Sequence, residues 1–98
     1  MDSKTRAKLR GFANKIEASV IIGKDGITDN VLNQISMNLD AHELVKISVL
    51  SADEDYKQML SFLAEKLQAE PIQAVGKKLV LYRFSSKKKS GHVLSENQ

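Results

Sequence analysis

Between two runs rich in β-branched residues lies a stretch with helical spacing, and that arrangement leaves few folds open. Ser19–Ile22 reads as a short strand. Thr28 opens a helix that places Val31, Leu32, Ile35 and Leu39 on one stripe and closes at His42 and Glu43. In Leu44–Leu50, Val45, Ile47 and Val49 alternate with Lys46 and Ser48, the period of a strand with one buried face. A strand–helix–strand unit of this length joins parallel strands through a right-handed crossover. The partly wet second face implies that the crossover helices pack mainly on the other.

The remaining elements follow the same logic. Residues 3–17 carry Leu9, Phe12, Ala13 and Ile16 at helical spacing, with Asp2 or Ser3 as the N-cap. Ser51 and Glu54 form a capping-box pattern ahead of a helix through Tyr56, Met59, Leu60, Leu63 and Leu67, which Pro71 ends. Ile72–Val75 and Leu79–Phe84 are strands around the tight turn Gly76-Lys77-Lys78. The expected order is α-β-α-β-α-β-β, an α/β (α+β) fold with a four-stranded mixed sheet packed against three helices. The first three strands should run parallel, with an antiparallel strand added by the hairpin. Residues 1–85 make one domain. Ser86–Gln98 has almost nothing to bury and reads as a disordered basic tail.

Composition narrows the function. The chain of 98 residues has no cysteine, which excludes disulfides, thiolate metal sites and cysteine nucleophiles. No apolar run approaches the ~20 residues of a membrane span, and charges run through the first twenty positions, so a cytoplasmic protein without membrane association is expected. His42 stands at a helix end, where the dipole favours it, and Asp53-Glu54-Asp55 stands in a first helical turn as a capping and dipole feature. No Walker loop, dinucleotide fingerprint or nucleophile elbow occurs. We therefore expect no enzyme activity, no metal, no cofactor and no small-molecule substrate.

Charge is sorted along the chain. Residues 1–28 carry a net +3, residues 29–70 a net −5 and residues 71–98 a net +5. If the two ends fold together, they form a cationic face suited to a polyanion. Within this map the turn Gly23-Lys24-Asp25-Gly26 stands between a strand and a helix start. Its glycines let the backbone approach a phosphate, Lys24 supplies a cation, and the helix N-terminus adds partial positive charge. The same physics operates in the GXXG loop of KH domains.

Three ordered stretches, VIIGKDGIT (20–28), ELVKISV (43–49) and GKKLVLYR (76–83), together resemble the CRM domain, the chloroplast RNA splicing and ribosome maturation module, in its stand-alone bacterial YhbY-like form. The resemblance spans residues 3–84. It implies an RNA-binding protein tied in bacteria to assembly of the large ribosomal subunit, and in plant organelles to splicing. It also implies a fold similar to the carboxy-terminal domain of translation initiation factor three. The family's Gly-Lys-x-Gly RNA loop falls on Gly23, Lys24, Asp25 and Gly26; Asp25 departs from the small or amide residue usual there. The charge map adds Lys4, Lys8, Arg10, Lys77, Lys78 and Arg83, and the tail adds Lys87, Lys88 and Lys89, as RNA-binding candidates. Only five aromatic side chains argue against a stacking platform and for structured RNA. The expected partner of this monomer is ribosomal RNA in a precursor large subunit. The alternative is an adaptor whose acidic helices bind a basic ribosomal protein or assembly factor.

Overall fold

A computed structural model describes residues 1–94. Seven elements follow the expected order: α1 (Ser3–Ala13), β1 (Val20–Ile22), α2 (Asp29–His42), β2 (Leu44–Val49), α3 (Tyr56–Leu67), β3 (Glu70–Val75) and β4 (Lys78–Tyr82). The four strands form one mixed sheet in the order β1-β2-β4-β3. β1 and β2 pair in parallel, and β4 lies antiparallel between β2 and β3. The first three strands thus share a direction, as expected, but β4 separates β2 from β3.

Alternation along the strands sorts side chains onto two faces. Val20, Ile22, Val45, Ile47, Val49, Leu79 and Leu81 meet Ile35 and Leu39 of α2 and Leu60, Leu63 and Ala64 of α3 in the main core. The second face is not simply wet. Leu9 and Ala13 of α1 cover Leu44, Ile72, Val80 and Tyr82 there, with Phe12, Val93 and Leu94 packed against them. A β-bulge between Pro71 and Gln73 makes room for Ile72 in this second cluster. With α2 and α3 alone those four side chains would face water, so α1 is what buries the second face.

Several boundaries differ from the sequence expectation for identifiable reasons. α1 stops at Ala13, where Asn14 caps it, and Ile16 lies beyond it, 38% exposed. Asp2 is the α1 N-cap, accepting from the Thr5 N–H. α3 starts at Tyr56 because Asp55, not Ser51, accepts from the Gln58 N–H; the Ser51 carbonyl instead accepts from the Tyr56 hydroxyl at 2.6 Å. α3 ends at Leu67 with Gln68 in the left-handed region (φ 52°), ahead of Pro71, which is the second residue of β3 rather than the stop of the helix.

Part of the stretch expected as a disordered tail, residues 86–94, lies among the described residues. Residues 86–94 fold back so that His92 and the Val93 N–H bond Glu43, and His92 stacks on Phe84 at 4.6 Å. The last four positions of that expected tail lie outside the described residues.

Candidate nucleic-acid interface

The site begins with the register of the sheet. Ile22 pairs with Val49, the Leu50 N–H donates to the Ile22 carbonyl at 3.0 Å, and the Val49 N–H donates to the Lys77 carbonyl at 2.8 Å. The ends of β1 and β2 and the β3–β4 hairpin therefore meet at one end of the sheet. There the chain leaves β1 into a β-turn closed by the Gly26 N–H donating to the Gly23 carbonyl at 3.1 Å. Gly26 has φ +73°, where a side chain is strained; a Cβ on Gly23 would meet open space. Lys24 and Asp25 are exposed at the tip.

Two strands away, Val75 and Lys78 pair across the two-residue turn Gly76-Lys77, with the positive φ (57°) on Gly76. Lys77 and Lys78 are exposed. Adjacent strands lie ~4.8 Å apart, so this hairpin runs about 10 Å from the β1 edge. Helix α2 does not start directly at the turn. Ile27 packs against the main core and Thr28 caps α2, its hydroxyl accepting from the Val31 N–H at 3.2 Å. Part of the helix-terminal donor capacity is thus already used, and Asp29 in the first turn offsets part of the dipole.

Between turn and hairpin lies a feature that strand spacing alone did not reveal. Ile21 pairs with Ser48, Ser48 with Lys78, and Lys78 with Val75, so these four share one row on the α1 face. α1 stops short of this row. Ile21 is 58% and Val75 61% exposed, Lys78 is exposed, and Ser48 is half-buried. Lys46, one row lower and paired with Val80, is half-buried on the same face. Lys4 and Lys8 are exposed on α1 and Arg10 is half-buried, so all three are carried on that side of the sheet. Sequence reasoning missed Ile21, Lys46 and Ser48; the alternation placed Lys46 and Ser48 on a wet face, but only the extent of α1 decides which row stays open.

The structure gives Arg83 a different task. Its guanidinium donates to the carbonyl of Leu67 (2.8 Å), the carbonyl and hydroxyl of Ser36 (both 3.1 Å) and the carboxylate of Asp40 (3.0 Å). Arg83, an RNA candidate by sequence, therefore ties α2 to α3, and its guanidinium is engaged internally rather than presented as a free cation. Lys87 pairs with Asp40 at 3.0 Å, and this hydrogen bond, with Arg83 nearby, holds the Asp40 carboxyl below the usual carboxylate range. Tyr82 pairs with Leu44 and Glu70, the first residues of β2 and β3, so Arg83 and the segment with Lys87, Lys88 and Lys89 emerge at the end of the sheet opposite the turn. Four residue steps along β4 separate Lys78 from Tyr82, about 14 Å.

Residues 1–83 match the model of the CRS1 / YhbY (CRM) domain. The chain belongs to this family. An RNA-binding protein of Haemophilus influenzae is 34% identical over 90 residues, covering 91% of each chain. YqeI of Bacillus subtilis, named a probable RNA-binding protein, is 32% identical over 91% of this chain and 94% of its own. The solution structure of a Staphylococcus aureus protein superposes with a TM-score of 0.79 at 34% identity, covering 92% of this chain and 94% of that one. The CRM match covers the turn, α2, the open row and the hairpin, and ends at Arg83; the Glu43–His92 closure involves residues beyond it.

Proposed function

We propose that this CRM domain binds structured RNA through the phosphate backbone, with the 23–26 turn and the 76–78 hairpin at the contact and the Ile21–Ser48–Lys78–Val75 row between them. The observation that carries this reading is the meeting of those two exposed lysine-bearing turns at one sheet end, beside the one row α1 leaves open. Lysines on short turns approach a phosphate with little side-chain competition, and the Gly23–Gly26 backbone presents no bulk against it. A row bearing an isoleucine, a valine and a serine, without an aromatic ring, suits the sugar-phosphate edge of a folded RNA better than stacked single-stranded bases. The relatives' names support RNA as the ligand class.

The resemblance to ribosome-maturation modules supports ribosomal RNA of a precursor large subunit as the target, with the protein acting as a cytoplasmic monomer and assembly factor rather than a catalyst. Ultraviolet crosslinking in cells, followed by sequencing of the bound RNA, tests this. Enrichment of large-subunit ribosomal RNA is the expected result. Reads spread over messenger RNA without ribosomal enrichment would overturn the ribosomal assignment.

A further inference from the structure

We propose that the groove between Ile27 and the first two turns of α3 docks a basic segment of a protein partner, anchored by one apolar side chain. Ile27, Glu54, Asp55, Gln58, Met59 and Phe62 line a hollow of about 290 Å³. That is at the lower end of the ~300–1,000 Å³ typical of ligand pockets, with room for one apolar side chain. Ile27 and Met59 form its floor against the main core, while Phe62 is 44% exposed on its wall. A thioether floor repacks easily around an incoming side chain.

The rim decides the partner. Asp55, Met59, Phe62 and Lys66 follow one ridge of α3, three to four residues apart. Carboxylates stand at its start, where Asp53 and Glu54 are exposed and, among the described residues, unpaired in any ion pair. The Lys66 ammonium sits over the Phe62 ring at 5.9 Å, at the other end. A docked segment therefore places its lysine or arginine at the Glu54–Asp55 end and its apolar anchor between Met59 and Phe62. RNA is repelled from this rim. A second copy docked symmetrically through the same face would set this acidic stretch against itself, since residues 29–70 carry a net −5. A cationic polypeptide satisfies both the charge and the apolar wall. The groove uses none of the lysines assigned to RNA, although Ile27 directly follows the 23–26 turn.

The test titrates the full, isotope-labelled chain with a short peptide of lysines and arginines bearing one central leucine, and with its leucine-to-serine twin. The leucine peptide should shift the amides of Ile27, Gln58, Met59 and Phe62 and bind more tightly than the serine peptide. Phe62→Ala and Glu54→Lys should each weaken it about tenfold, equivalent to 1.4 kcal/mol, while RNA duplex affinity does not fall. Both replaced side chains are exposed, and an unchanged melting profile verifies the fold. Equal binding of the two peptides, or full affinity in Phe62→Ala, overturns the proposal. So does sedimentation showing a dimer that Phe62→Ala dissolves, because the groove would then be a self-interface.

Discussion

Arg83 shows how far a single charge can depart from its sequence context. It follows a strand that ends in the family-like GKKLVLYR stretch, and nothing local separates it from a free surface cation. Its four acceptors come from residues 16 to 47 positions away, a range that periodicity does not reach. Arg83→Ala removes the shared donor of the Leu67 carbonyl, Ser36 and the Asp40 carboxylate and should cost about 2–4 kcal/mol in urea denaturation, by the cost of unmade charged hydrogen bonds. A loss under ~0.5 kcal/mol, the scale of an ordinary surface change, would return Arg83 to the surface. The two turn glycines separate in the same way. Gly26→Ala meets a positive φ and should lose about 1 kcal/mol, whereas Gly23→Ala, facing open space, should stay within ~0.5 kcal/mol of wild type. RNA affinity lost on Gly23→Ala thus reports on contact, not on folding.

At the scale of elements, the helix and strand order was readable because period and turn chemistry agree in each segment. The Gly23–Gly26 turn and the 76–78 hairpin were equally legible as local patterns. Where the reading failed, a distant partner decided. The chain after β4 looked unstructured because its composition offers little to bury, yet one glutamate organises it. Glu43 is fully buried at the α2–β2 junction with φ 69°, and its carboxylate accepts from the Ser85 N–H (2.8 Å) and the Val93 N–H (2.8 Å) and contacts His92 Nδ1 at 2.7 Å. Burial pushes the Glu43 carboxyl up, but the bonds from Ser85, His92 and Val93 outweigh it and hold the group below its ordinary range. A carboxyl depressed in the folded state adds stability above its unfolded value, about 4.3 for glutamate, and that stability is lost as pH falls through the folded value. Denaturation followed over acidic pH should therefore show stability falling below about pH 4.3 in wild type and a shallower fall in Glu43→Gln. Equal acid slopes would show that Glu43 is not the group that loses its bonds. At neutral pH, Glu43→Gln should cost about 1–3 kcal/mol through weakened charged acceptance, with the 86–94 segment losing hydrogen-exchange protection first.

The whole molecule is polarised by how α1 sits. Because α1 covers only the lower rows of its face, one sheet end carries the glycine turn, the lysine hairpin and an open row, while Arg83 and the lysines after it emerge at the other. The sequence displayed the sorted charge but not this separation, since all three basic groups look equivalent along the chain. Their energetic roles should differ in solution. The measurement that addresses this most directly is the slope of log affinity against log salt for a ribosomal RNA fragment, taken on two triple variants. Replacing Lys24, Lys77 and Lys78 with alanine should reduce the slope by about 2–3, one counterion release of ~0.7–0.9 per lost phosphate contact. Replacing Lys87, Lys88 and Lys89 should change it by less than about 1. Both proteins should melt as wild type does. A slope unchanged by the first triple, or reduced more by the second, would contradict the placement of the RNA contact at the turn-and-hairpin end.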